Sequence, residues 1–578
     1  MTKKLIAFWG NIAAVVLLST LSCVIGTAGH SNNGGESNAA PAPASAVPAT
    51  AEPQAPTNGR PAPPSVFLDT TYARPTGRTI AVKGGDNASE SFKAALDSAN
   101  PGDVITLEAG AAFTGNFKLP KKAGQPGWIT IRSSAPDASL PAPGTRIQPS
   151  AFKSLPKIIS PDTRPAMRTA AGAHHYRFIA VEFTLAPDVK TNYGLVSFGS
   201  DEHTSLDQLP HDLILDRCFI HGTPSSDLSR GVAFNCAAAS IIDSHVSDCH
   251  GEGFDAQAIA SWNGSGPFKV VNNYLEGAGE NVLFGGSDPK VPGLVASDIE
   301  FRRNTCSKPL TWKVDDPSFS GRHWTVKNLF ELKNARRVMV EGNVFENNWV
   351  DAQSGVAILF TPRNQDGTAP WSVVEDVTFT NNIVRHSSGA VNILGTDNEK
   401  KSEQTKRVEI SNNLFEDIDG KRWGDGDGVF MIITETVDAT VDHNTVLQSG
   451  NIITAYGNPC QNFNFTNNLA LNNEYGIIGD SIAPGKDTLD KFFPDRVFKK
   501  NIIVGGDSFT YQAKKNYFPA SLNEVGFVDH GKSNYRLAVN SPFKESGTKD
   551  KDIGADIDAI EAAIGSANLA IVTAGRTQ

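Results

Sequence analysis

A short strand of alternating apolar residues that closes on asparagine recurs along this chain, and it restricts the fold to a coil stacked on itself. It reads VEGNVFENN at 340–348, VTFTNNIVRHSS at 377–388, VEISNNLFEDID at 408–419, VDHNTVLQSG at 441–450, FNFTNNLALNN at 463–473 and VFKKNIIVGG at 497–506. With Asn343, Asn382, Asn413, Asn444, Asn468 and Asn501 as equivalent positions, the intervals are 39, 31, 31, 24 and 33 residues. Intervals this uneven suit coils with loops of variable length. Each coil leaves its strand faces unburied until the next one stacks on it, which is how a solenoid acquires a core. Asparagine tolerates left-handed backbone and hydrogen-bonds locally, so at a sharp turn it can stack on the asparagine of the next coil and satisfy buried amides. These asparagines are read as scaffold rather than chemistry.

Composition agrees, since 52 Gly and 34 Pro with only 4 Met in 578 residues describe many short strands and turns. A solenoid grows by adding coils, so the length is compatible with one long domain. The formal charge of −10 disfavours a general nucleic-acid binder.

Residues 1–28 carry Lys3 and Lys4, then an apolar run through Val15, Val16, Leu17 and Leu18, then small residues, the layout of a secretory signal. Thr20-Leu21-Ser22-Cys23 has the form of a lipoprotein box, so either a lipid on Cys23 tethers the chain to a membrane or cleavage falls near Ala28. Residues 29–65 are rich in Ala, Pro, Ser, Gly and Asn and read as a disordered tether. The protein is therefore expected to be secreted, periplasmic or on the cell surface, and monomeric. Cys218, Cys236, Cys249, Cys306 and Cys460 lack metal-type spacing and are read as buried thiols, with one disulfide among the first three as the alternative.

A solenoid needs capped ends. Ser89-Glu90 followed by SFKAALDSA (91–99) reads as a capped amphipathic helix, and Pro101-Gly102-Asp103 turns into the strand VITLEAG (104–110). The chain divides into an N-terminal cap with first coils at 66–173, repeats at 174–510 and a C-terminal coil and cap at 511–578. The segment 91–117, the Asn-closed coils and the closing YRLAVNSPFKESGTKDKDIGADID (535–558) together resemble right-handed parallel β-helix proteins of the pectate-lyase-like superfamily. The resemblance implies an all-β right-handed parallel β-helix with an N-terminal helical cap, and activity on acidic polysaccharides, in the lyases often with calcium.

Equivalent residues on adjacent coils stand about 4.8 Å apart, so a site is assembled across repeats. NVLFGGSD (281–288), LFELKN (329–334), AILFTPRN (357–364), VNILGTD (391–397) and MIITET (431–436) fall in one stack, whose exit end carries Asp288, Lys333, Arg363, Asp397 and Glu435. Lys and Arg on consecutive coils suit β-elimination in a uronate glycan. A cation neutralises the carboxylate while a Lys depressed in pKa accepts the α-proton. Chondroitinase B-like and alginate-lyase-like members are similar in using such a pair, and the matching positions here are Lys333 and Arg363, with Glu331 and Asp288 as metal ligands; the full carboxylate set for calcium is missing. Solvated strand-end charges are the alternative. The loops 307–327 and 362–374 hold Trp312, His323 and Trp371, which can wall a cleft and stack on sugars. Asp397 and Glu435 complete the expected substrate-binding group.

A second cluster, Asp248, His250, Glu252 and Asp255, suits metal binding or acid/base work, although His221-Gly222 one coil earlier makes His250-Gly251 a repeated turn. The expected function is a polysaccharide lyase on an acidic glycan. An inverting hydrolase of the polygalacturonase type and a glycan-binding adhesive solenoid are the alternatives.

Overall fold

The computed structural model describes residues 59–124 and 127–576. The predicted leader at 1–28, its Cys23, and the tether as far as residue 58 lie outside the described residues.

Short strands pair in parallel across coils in three long sheets of 14, 12 and 13 strands. Along each sheet neighbouring strands are for the most part three apart in chain order, so each coil supplies one strand to each sheet. The fold is a right-handed parallel β-helix, as the resemblance implied. The 14-stranded sheet opens at Thr79–Val82 and ends at Val497–Lys499. The coils run unbroken through residue 174, since His174–Ile179 pairs with Ile129–Ser133 on one side and His211–Asp216 on the other.

The six predicted asparagines form one ladder. The backbone and side-chain amides of Asn343 both donate to Asn382 Oδ1 at 2.9 Å, and the pattern repeats through Asn413, Asn444, Asn468 and Asn501 to Asn516. Toward the N-terminus it continues through Asn304 and Asn273 to Ser244. The left-handed residue is not the ladder asparagine but the one before it: Asn272, Arg303, Gly342, Asn381, Asn412, His443, Asn467 and Lys500 all have φ between 51° and 65°. The ladder asparagine then satisfies the amides that this sharp turn exposes.

A second corner carries a column of opposite charges. Asp298, Arg337, Asp376 and Arg407 occupy successive coils with φ of 52–60°, and Arg337 binds Asp298 bidentately at 2.7 and 2.8 Å as Arg407 binds Asp376 at 2.7 and 2.8 Å. Residues 59–65, expected in the tether, are instead strapped along this corner. Ala62 N donates to Asp376 Oδ1 (2.9 Å) and Ser65 N to Asp298 Oδ1 (2.7 Å), and Thr70 O then accepts from Arg177 (2.8 Å). The same aspartates that pair with arginine thus also supply acceptors for an extended strand-like segment.

Helix Ala88–Ser98 closes the N-terminal end by burying Ala88, Phe92, Ala95 and Leu96, with the Phe92 ring edge-on to Phe113 and tilted against Phe117. Its N-cap is Asn87 rather than Ser89, with no side-chain cap bond. At the other end helix Lys486–Phe492 buries Leu489 and Phe492 over the last coils. The predicted C-terminal cap behaves differently: helix Ile557–Arg576, broken at Gly565, packs Ile557, Ile560 and Ile564 against Val344, Ile383 and Leu414 on the outside of the 13-stranded sheet. Cys218, Cys236, Cys249, Cys306 and Cys460 are all buried free thiols, so no disulfide joins the first three. Among the described residues no helix is long and apolar enough to cross a membrane.

Candidate functional site

The predicted stack is real. Phe284, Leu332, Phe360, Ile393 and Ile433 lie in register in the 12-stranded sheet, with Phe330, Ile358, Val391 and Met431 two positions earlier, and all of them are buried in the core. Alternation turns Glu331 toward the outer face between Phe330 and Leu332. Just past the strand ends, Thr361 N donates to Leu332 O (2.9 Å) and Arg363 N to Lys333 O (3.0 Å), which sets Lys333 beside Arg363 on consecutive coils.

Each cation is held by a buried carboxylate. Lys333 Nζ is 2.8 Å from Glu331 Oε1, and Arg363 Nη1 is 3.1 Å from Asp397 Oδ1 and 3.5 Å from Glu399. The Lys333 and Arg363 side chains keep 19% and 20% of their surface exposed, against 1% for Glu331 and 0% for Asp397, so the cations face solvent and their anchors do not. Asn328 and Thr361 also donate to Glu331, at 3.0 and 3.2 Å. Burial works against ionisation of Glu331, but the Lys333 charge and hydrogen bond, the Asn328 hydrogen bond and the Lys327 charge hold its carboxyl below the usual range.

A polar row leads down the sheet from this pair through Asn328, Glu280, Gln257 and Arg230, which are successive partners in the parallel register. Burial, with the Asp255 and Glu331 charges adding to it, pushes the Glu280 carboxyl up to about 7, against the pull of Lys327. Lys327 Nζ sits 2.5 Å from Asp255 and 3.7 Å from Glu280. Behind the row, fully buried Lys308 donates to Gly277 O, Ala278 O, Gly279 O, Asn281 Oδ1 and Asn328 O at 2.5–3.2 Å. Sequence reading missed Glu280, which lies one coil before Lys333, and Lys308 and Lys327, which bound the long connection into the strand that precedes Lys333.

These residues do not fit a resident calcium ion. Asp255 is neutralised by Lys327 and Glu331 by Lys333, so an ammonium stands where a cation would. Asp288, the other expected ligand, instead accepts from Asp366 N, Thr368 N and Thr368 Oγ1 at 2.8–3.1 Å and fastens that loop.

The remaining expected residues are dispersed. Trp312 is buried with Trp324, Trp349 and Trp423 in a loop core, and Trp371 is half-buried with Nε1 bonded to Leu294 O (3.1 Å). Neither indole is a free sugar platform, because the long loops use their aromatics to pack themselves onto the coils. His323 is exposed and paired with Asp351 at 2.5 Å. Glu435 accepts from Thr396 and Asn458, both at 2.7 Å.

The second predicted cluster comes apart. His250 is fully buried with its ring stacked on Trp324 at 3.7 Å, and burial pushes it down to about 3. Glu252 is exposed near Arg322 (3.5 Å), and Asp255 belongs with Lys327. Asp248 instead joins Glu276, another residue the sequence did not reveal, in a cavity of about 380 Å³ lined also by His245, Ser247, Thr311 and Trp312. Tyr274 Oη donates to Glu276 Oε1 (2.9 Å) and Asp248 N to its Oε2 (3.3 Å). Burial, with the Asp248 charge, pushes Glu276 up to about 7, and burial also raises Asp248.

No model of a known protein family matches the chain, and no curated protein matches it in sequence. Solved structures share its fold at low identity. A PL6 family alginate lyase, AlyGC, is 14% identical with a TM-score of 0.44 over 83% of this chain. The chain spans 58% of the length of that lyase. A mannuronic acid specific polysaccharide family 6 lyase from human gut microbiota is 11% identical with a TM-score of 0.42, covering 86% of this chain and all, 100%, of that one. The catalytic unit of a GH87 α-1,3-glucanase from Streptomyces thermodiastaticus is 13% identical with a TM-score of 0.39, covering 71% of this chain and 66% of that one. These are likenesses of fold, and the activity of this chain is argued from its own residues.

Proposed function

We propose that the protein is an exported polysaccharide lyase that cleaves a uronate-containing glycan at the face formed by Lys333 and Arg363. The observation that carries this reading is that two solvent-facing cations from consecutive coils are each oriented by a buried carboxylate, Glu331 and Asp397. In β-elimination the electron pair of the uronate C5–H bond forms the C4–C5 double bond, the C4–O glycosidic bond breaks, and the leaving oxygen takes a proton from the Lys333 ammonium that the abstraction creates or from water. Arg363 pairs with the substrate carboxylate and stabilises the charge that develops there as C5 loses its proton. Lys333 accepts the C5 proton as the neutral amine, which requires it to shed its proton and release Glu331. Lys327 holds positive charge behind the row, while burial pushes the Lys308 ammonium down to about 7.

The test is ultraviolet absorbance of the unsaturated product over alginate, pectate, chondroitin, dermatan and heparin-type glycans. A signal that Lys333→Ala and Arg363→Ala both abolish supports the reading, and a flat trace on every glycan ends it for those substrates. The Asp248–Glu276 cavity favours a second reading, an inverting hydrolase in which Glu276 is the acid. New reducing ends without unsaturated product, lost in Glu276→Gln, would establish it. Binding without either product leaves the glycan-binding solenoid.

A further inference from the structure

In the fourth and fifth strands of the 14-stranded sheet, two consecutive coils bring His174-His175 against His211-Asp212. His174 pairs with His211 in the parallel register and Tyr176 with Leu213, which places His175 beside Asp212. His175 and Asp212 have φ of 58° and 53° and belong to the corner column that holds Asp298, Arg337, Asp376 and Arg407 further along. There the column is closed by Asp–Arg pairs. Here imidazoles take the place of arginine.

One ligand atom from each of His175, His211 and Asp212 lies within 4.8 Å of the other two. His211 Nδ1 is 2.6 Å and His175 Nδ1 3.7 Å from Asp212 Oδ2. Donors bonded to a tetrahedral zinc ion at about 2.0–2.2 Å stand about 3.3 Å apart, so these separations straddle the required value and small ring rotations reach it. His174 Nδ1 is a further donor 3.0 Å from His175 Nδ1, and its ring stacks on that of His211 with centroids 5.0 Å apart. At this distance one Nδ1 donates to the other when only one of them carries a proton, and with both Nδ1 atoms bare the same two nitrogens can face one cation. Trp128, whose ring centroid is 5.3 Å from that of His175, packs against the group from the coil below. All four residues are half-buried, which leaves an entry path.

We propose that His175, His211 and Asp212 bind a divalent transition-metal ion, zinc in the first instance, with His174 within reach of the fourth position. Two imidazoles with a carboxylate suit zinc, copper or nickel and not calcium or magnesium. The ion clasps two successive coils in the N-terminal third of the solenoid, adding a bond between units that otherwise hold together by stacking. The site is independent of the Lys333–Arg363 face and holds whether or not that face is catalytic.

The test uses the whole protein, free of added histidine tags. Cobalt(II) titration is expected to give the visible bands of a low-symmetry site at one equivalent, and zinc to displace it. Zinc is expected to raise the melting temperature. His175→Asn and Asp212→Asn keep a residue suited to the left-handed turn and, with His211→Ala, are each expected to weaken zinc binding by about 100-fold or more. His443→Asn, at another His–Asp pair, is expected to leave binding unchanged. Each variant is first shown by circular dichroism in chelator to be folded. Absence of stoichiometric cobalt or zinc binding by the unaltered protein overturns the proposal, and so does binding that survives in the folded variants.

Discussion

Arg363 reaches Asp397 on the next coil, Nη1 to Oδ1 at 3.1 Å, while the other carboxylate oxygen accepts the amide of Asn364 at 2.8 Å. Asp397 therefore fixes both the guanidinium and the backbone that carries it. In Asp397→Asn the ion pair is lost and Asn364 N still has an acceptor, so the fold is retained while Arg363 is free to swing. The expected outcome is a KM for uronate glycan raised by about tenfold with a smaller change in kcat, corresponding to about 1.4 kcal/mol of lost orientation. Equal kcat and KM in mutant and parent would remove Asp397 from the site.

Breaking the asparagine ladder carries a large local cost. Asn382 accepts from Asn343 twice and donates to Val340 O and Asn413 Oδ1, all at 2.9–3.1 Å with no solvent access. Asn382→Ala leaves several buried groups without partners. Equilibrium urea unfolding is expected to show a loss of about 2–4 kcal/mol. A loss under about 0.5 kcal/mol would mean that the ladder contributes no more than an exposed turn does.

Lys308 is the buried counterpart on the side of the Lys333–Arg363 face. Its ammonium directs three N–H groups into a ring of five oxygens at 2.5–3.2 Å, among them Asn281 Oδ1 and Asn328 O. Lys308→Met keeps the volume and orphans the carbonyls. We expect a destabilisation of about 3 kcal/mol or more, read from thermal and urea melts, together with loss of activity through Asn328 and Glu331.

Glu276 gives the protein a pH signature. Its carboxyl is raised to about 7 from an ordinary 4.5, so the folded state holds this proton more tightly than the unfolded one. The favourable contribution is present in full below pH 4.5 and is lost as pH rises through about 7, the opposite of the usual carboxylate. Half-burial at the cavity mouth limits the effect to about 1–2 kcal/mol. Glu276→Gln is expected to be relatively more stable than the parent at pH 8 than at pH 5. Parallel stability curves across that range would show Glu276 to be ionised like any surface carboxylate.

Much of the scaffold was legible from the chain alone. The intervals between Asn343, Asn382, Asn413, Asn444, Asn468 and Asn501 gave the coil lengths, and the stacked strands followed because a parallel register must bring Leu332 beside Phe360 and Ile393. The pairing of Lys333 with Arg363 was visible for the same reason. Asn273 and Asn304 extend the ladder at intervals of 31 and 39 residues, so the same periodicity reaches them although the six recognised asparagines stop short of both.

What the sequence determined by itself was therefore the repeat, its buried polar ladder and the residues that share a strand position. These follow from alternation and turn chemistry, which act over a few residues. Only the tertiary structure decided which charges neutralise which. It brought Lys327 to Asp255, Glu276 to Asp248, and His175 to Asp212, and it laid residues 59–72 along the aspartate–arginine corner. Those contacts cross between coils or between loops of unequal length. The loop lengths set them, and no local pattern in the chain encodes where a loop returns.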